Sequence, residues 1–145
     1  MARRDAFAPR RASAARGLAL AGLVLWIACA REGPADVAWD RVACAHCRML
    51  VSDPRFAAQL QLDSGEVLHF DDPGCLLLRR AALDREPRAV WLHDSAGEGW
   101  LSESEVSFVR VPETPMGYGF AAVRMGSAPN SLNAAAALAA IAEAK

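Results

Sequence analysis

The apolar positions of the chain fall into three kinds of pattern. Residues 18–28 form one unbroken apolar run, too short to span a bilayer comfortably as a permanent helix. Beyond residue 43 the pattern changes to short segments separated by turn residues. Residues 56–62 alternate apolar with polar near their end and predict a half-buried strand. Asp63-Ser64-Gly65 turns the chain, and residues 66–70 return as the second strand of a hairpin. Asp72-Pro73 has the form of a helix start, a capping carboxylate followed by proline in the first turn, and the helix should run through 75–83 and stop before Pro87. Residues 89–93 predict a third strand. Polar residues 94–99 then form a loop, strands follow at 106–111 and 120–125, and Asn130 or Ser131 caps an Ala-rich helix reaching Ala144. Strands and helices interleaved with hairpin signals predict an α+β domain.

The N-terminal segment reads as an export signal. Five arginines precede or enter the apolar run, and Ile27-Ala28-Cys29 closes it like the end of a bacterial lipobox, with Trp26 in place of the usual Leu. Residues 1–28 are therefore expected to be a lipoprotein signal peptide, with Cys29 the lipidated first residue of the mature chain. Arg10-Arg11 lacks the apolar residues that should follow a twin-arginine signal. Residues 29–43 read as a tether, rich in polar residues around Gly33-Pro34, with Val37 and Trp39 beginning to pack on the domain. The expected location is the periplasm, with the lipid in the outer rather than the inner membrane.

The overall net charge of −1 conceals an asymmetry. The first 28 residues hold five arginines and one acid, leaving 11 basic and 16 acidic residues, a net of −5, in the rest. Only one lysine occurs, at position 145, and no basic cluster is present beyond the leader. A phosphate-binding surface needs Lys/Arg neutralisation, so nucleic acid is excluded as an expected partner. No nucleophile–base constellation, phosphate loop or organic cofactor motif is visible, and the sequence predicts no enzyme.

The chemistry concentrates in Cys44-Ala45-His46-Cys47-Arg48-Met49. Thiolate and thioether sulfurs are soft ligands that favour Cu(I) over cations that prefer oxygen. If residues 47–49 are extended, Cys47 and Met49 point to one side and present both sulfurs to one ion. Met116, between Pro115 and Gly117, sits on a bend that could bring a distant sulfur to the same point. Thioethers do not protonate in mild acid, whereas a Cys–metal bond weakens there. Cys44 is open between accessory ligand, disulfide partner of Cys47 in the metal-free state, and half of a redox pair. A thioredoxin-like pair would need a helix beginning at the motif, and none is predicted. His46 is a further candidate ligand. His69 and His93 read as hydrogen-bonded strand-end residues, Cys75 as a small buried apolar residue, Met125 as core, and Asp71-Asp72 as architectural. A structural zinc knuckle would need a second Cys-x-x-Cys, which is absent.

Taken in order, Cys44-x-x-Cys47-x-Met49, Phe70-Asp71-Asp72 with Gly74-Cys75, and Thr114-Pro115-Met116-Gly117-Tyr118-Gly119 resemble the NosL family of copper-binding lipoproteins that accompany nitrous-oxide reductase. The resemblance covers residues 40–145. It implies two similar ββαβ units akin to the organomercurial lyase core, and a Cu(I) metallochaperone acting as a monomer. The family's Cys-x-Met ligands fall on Cys47 and Met49, with Met116 as the distant sulfur. It also implies an ABC-type copper delivery complex as donor and apo nitrous-oxide reductase as acceptor. Arg48 departs from the family, which commonly has Gly there, and adds a cation that should favour thiolate at Cys47. The rival readings are a thiol–disulfide redox protein using Cys44 and Cys47, and a purely structural lipoprotein.

Overall fold

A computed structural model describes residues 33–97 and 99–144. The segment expected to be a signal peptide and the expected lipidation site Cys29 lie outside the described residues. The fold is α+β. Its element order is β1 (Ala58–Gln61), β2 (Val67–Phe70), α1 (Pro73–Ala81), β3 (Ala89–His93), β4 (Trp100–Ser102), β5 (Val106–Arg110), β6 (Phe120–Arg124) and α2 (Ala134–Glu143). The first four strands make an antiparallel sheet in the order β2-β1-β3-β4, and β5 and β6 pair separately. The β1–β2 hairpin sets Ala58 against Phe70 and Gln61 against Val67, while β3 lies on the other side of β1 with Leu92 opposite Ala58. The first half therefore runs strand, strand, helix, strand.

Helix α1 forms where its caps predict. Asp72 is the N-cap, accepting from the Gly74 N–H through Oδ1 at 2.7 Å, and Pro73 occupies the first turn, where its missing N–H has no helical partner to lose. Its buried face, including Cys75, Leu76 and Leu77, packs with Phe70, Phe108, Phe120, Leu60 and Leu92 in one core. Helix α2 begins later than expected: Asn133, not Asn130 or Ser131, is the cap and accepts from Ala136 N at 2.8 Å. The stretch just before it is held to β5, because Phe108 and Leu132 exchange backbone hydrogen bonds at 2.8 and 2.7 Å. Those bonds leave Asn133 as the first residue free to turn into the helix.

Strand β1 is buried along its whole length rather than half-buried. Gln59 and Gln61 look like solvent-facing positions, but residues 33–35 cross that face of the sheet. Gln59 bonds both the N–H and the C=O of Ala35, at 2.9 and 2.7 Å, and Gln61 donates to the Gly33 carbonyl at 2.6 Å. A side-chain amide offers the same donor and acceptor as a peptide group, so a buried glutamine is satisfied there as a neighbouring strand would satisfy it. The segment read only as a tether thus contributes cover to the sheet. Met125 is not core: β6 ends at Arg124, the Met125 N–H bonds Glu105 at 2.7 Å, and its side chain is 60% exposed. Among the described residues no helix is long and apolar enough to cross a membrane.

Candidate metal centre

The Cys44–Met49 segment is a closed turn. Ala43 bridges Leu50, the Cys44 N–H bonds the Met49 carbonyl at 2.7 Å, and the Arg48 N–H returns to the Cys44 carbonyl at 3.1 Å. Arg48 takes φ 72°, the left-handed region, so residues 47–49 are not the extended chain expected. The turn is fastened to the hairpin by Ala45 N–H to the His69 carbonyl, at 2.8 Å. That bond sets the turn beside the end of β2, where the chain passes through Asp71 into α1. Helical side chains lean toward the N-terminal end, so Cys75, in the first turn of α1, leans back to the same place.

The result is a convergence of four groups from three stretches of chain. The Sγ atoms of Cys44, Cys47 and Cys75 and a carboxylate oxygen of Asp71 all lie within 4.8 Å of one another. These four groups can hold a metal ion. Cys44 and Cys75 are fully buried, Asp71 is 2% exposed, and Cys47 forms the half-buried rim. All three cysteines are free thiols. The Cys47 thiol donates to Asp71 Oδ1 at 3.2 Å, while Asp71 Oδ2 is buried with no hydrogen-bond partner. An unpartnered buried oxygen is costly unless something else satisfies it.

The thiols do not titrate alike. The Cys75 thiol engages the Cys44 sulfur, which lowers Cys44 to about 6 against the opposing effect of burial. Cys75 is pushed up for the same reason, with burial adding to it. Cys47 is raised to about 11, first by burial and then by Asp71 and Cys44. The thiolate expected at Cys47 from the neighbouring Arg48 is thus not its resting form. Arg48 is exposed, whereas Cys47 is governed first by burial and then by its contacts with Asp71 and Cys44.

The Thr114–Gly119 loop comes to the same end of α1. Asp72 holds it: Oδ1 caps the helix, and Oδ2 accepts from the Met116 N–H at 3.0 Å. Burial raises the Asp72 carboxyl despite lowering contacts from Thr114, Met116 and Gly74. Tyr118 lies so close over Gly74 that a Cβ there would meet its ring at 2.4 Å. Met116 is partly buried and packs on the core that contains Cys44 and Cys75. Met49 is 53% exposed at the mouth of the turn, and His46, also exposed, lies outside the set of four.

Asp72 has the architectural role expected of it, but Asp71 and Cys75 are members of the cluster that their local settings did not reveal. His69 also differs from expectation: its Nδ1 is buried without a partner, and burial lowers its pKa. His93 approaches the Asp94 carbonyl at 3.2 Å and meets Trp100 edge-on, as a structural strand-end histidine would. A groove of about 540 Å³ lined by Arg55, Phe56, Val111 and Pro115 includes none of the cluster's side chains.

Scans of protein-family models, curated proteins and solved structures return no match to the chain.

Proposed function

We propose that the protein is a lipid-anchored periplasmic Cu(I)-binding metallochaperone of the NosL type, delivering copper for nitrous-oxide reductase maturation. The observation that carries the reading is the gathering of three thiols within 4.8 Å, beside a methionine-bearing loop tied through Asp72 to the same helix end. Soft sulfur donors select Cu(I). In this reading Cys47 is the pivot ligand, because it belongs to the cluster yet sits at its half-buried rim. Met49 and Met116 supply neutral thioethers, and Cys44 and His46 are accessory candidates. An ion held by few ligands at a rim exchanges through shared thiolate bridges without being free in solution. By resemblance, the donor is an ABC-type copper delivery complex and the acceptor is apo nitrous-oxide reductase. The protein acts as a monomer without an enzymatic turnover of its own, its lipid on Cys29 in the outer membrane.

The pattern of the thiols weighs against the redox alternative. An attacking cysteine needs thiolate and access together. Here Cys44, lowered to about 6, is fully buried, while the accessible Cys47 is raised to about 11. The test is anaerobic Cu(I) competition titration of the reduced full-length chain in detergent, alongside Cys47→Ser and Met116→Leu. Both variants should weaken Cu(I) by on the order of tenfold or more. Unchanged affinity in either one removes the two-segment copper site.

A further inference from the structure

We propose that the loop of residues 39–50 is a membrane-contacting surface that seats on the headgroup layer of an anionic bilayer. The inference rests on the membrane anchoring proposed above and is independent of the metal. Exposure is the first argument. Among the described residues four large apolar side chains stand exposed, and three of them, Trp39, Met49 and Leu50, lie in this one loop. Exposed apolar residues normally scatter singly over a soluble surface, so their concentration in one loop marks a contact. The loop is a fixed frame. Asp40 N–H bonds the Val51 carbonyl and Val51 N–H bonds the Val42 carbonyl, both at 3.0 Å, and the Cys44–Met49 bond closes the far end. Asp40 and Arg48 both take left-handed backbone, at φ 58° and 72°, a conformation unfavourable for residues with a Cβ. Val51 is 1% exposed, and the alternation that buries it turns Leu50 outward.

Charge says what covers the loop. It carries Arg41 and Arg48, both exposed, against one acid, Asp40, in a chain whose net charge beyond residue 28 is −5. Among the described residues neither arginine makes an ion pair; the pairs belong to Arg55, Arg80 and Arg124. Unpaired guanidinium groups beside an indole and an aliphatic chain match the order of a lipid interface. Arginine reaches the phosphates while tryptophan and leucine enter at the headgroup–acyl boundary. Each basic residue held near an anionic surface strengthens binding roughly fivefold. A stable protein partner would need about 800 Å² of matched surface on this side, whereas a headgroup layer needs no complementary shape. Chain length agrees. Ten residues lead from Cys29, the proposed lipidation site, to Trp39, a reach of at most about 35 Å. A patch too weak to recruit a free protein suffices for one already tethered beside the surface.

The test is quenching of Trp39 by brominated lipid. The full chain, purified from membranes, is reconstituted into vesicles of phosphatidylethanolamine and phosphatidylglycerol with brominated acyl chains. The emission that Trp39→Phe abolishes belongs to Trp39, and bromine should remove more than half of it. Replacing phosphatidylglycerol by phosphatidylcholine should reduce that quenching several-fold, a comparison that needs no variant to fold. Arg41→Glu combined with Arg48→Glu should reduce it likewise on the anionic vesicles. Unquenched Trp39 in a chain that floats with the vesicles overturns the proposal while leaving the anchor standing. Quenching that is equal on neutral vesicles overturns it too. So does Trp39 emission that ignores lipid and shifts with protein concentration, which would assign the loop to a protein contact. Quenched Trp39 in a chain whose Cys29 carries no lipid by mass spectrometry would sink the lipid-anchor reading alone.

Discussion

Replacing Asp72 by Ala removes a side chain that hydrogen-bonds both the helix start and the methionine loop, and its cost can be worked from the two bonds it makes. Loss of an N-cap carboxylate typically costs about 1 kcal/mol. Oδ1 caps Gly74 at 2.7 Å, so this amount applies in full. The second oxygen takes the Met116 N–H at 3.0 Å, and a partly buried N–H stripped of a charged acceptor costs roughly 1–3 kcal/mol. The burial that raises the Asp72 carboxyl offsets part of this, because the ionised form is itself unfavourable there. A net loss of roughly 2–3 kcal/mol is expected. For a domain of this size that lowers Tm by about 8–15 °C. Thermal unfolding followed by circular dichroism measures the total, and amide hydrogen exchange separates the two parts. Exchange at Gly74 and Met116 should both accelerate, by about tenfold for each 1.4 kcal/mol. Asp72→Asn retains one acceptor oxygen and should fall between wild type and Ala. A loss below about 1 kcal/mol in the Ala variant, or an unchanged Met116 amide, would refute the claim that Asp72 fastens the loop to the helix.

Gly74→Ala should displace the Tyr118 ring from a 2.4 Å encounter and cost about 1–3 kcal/mol, read as a lowered urea midpoint; a wild-type midpoint would mean the loop is not packed on α1. Arg48→Gly should stabilise the fold by about 0.5–1 kcal/mol, since φ 72° is strained for any residue with a Cβ, and a destabilised variant in the same assay contradicts this. Glu105 accepts from the Ser102 N–H and hydroxyl and from Arg124, and its pKa is lowered to about 2. A carboxyl depressed in the fold contributes stability above its ordinary value of 4.5 that is lost as pH falls through about 2. Glu105→Gln should therefore flatten the stability profile across that window, and parallel profiles for variant and wild type would show the contacts contribute nothing.

What the sequence made legible follows the range of the interactions. The α1 start was readable because a cap is local: Asp72 and Pro73 decide it with Gly74. Strand β3 occupies the five residues anticipated, bounded by Pro87 and the polar loop after His93. Strand β1 was misjudged because what buries Gln59 and Gln61 is main chain 24 and 28 residues away. Strand β4 has three residues and no period of its own; only its pairing with β3 defines it. Met125 continued an apolar pattern past the point where the chain turns to meet Glu105. At the site, Cys44 and Cys47 announce themselves by spacing. Asp71 and Cys75 do not, because a carboxylate before a helix cap and a cysteine in an apolar helix each have a sufficient local explanation. The available signal was positional. A strand ending at Phe70 and a helix capped at Asp72 put Asp71 and Cys75 at one end of the core, where a turn bonded to His69 also arrives.

The proposed copper role requires sulfurs from remote stretches of this chain to meet around one Cu(I) ion. X-ray absorption at the copper edge, on the anaerobically loaded full-length chain, tests it most directly. The expected result is a low-coordinate Cu(I) spectrum with a sulfur-dominated first shell that loses a sulfur scatterer in Met116→Leu. A first shell dominated by nitrogen or oxygen, or one unchanged by both Cys47→Ser and Met116→Leu, would contradict it.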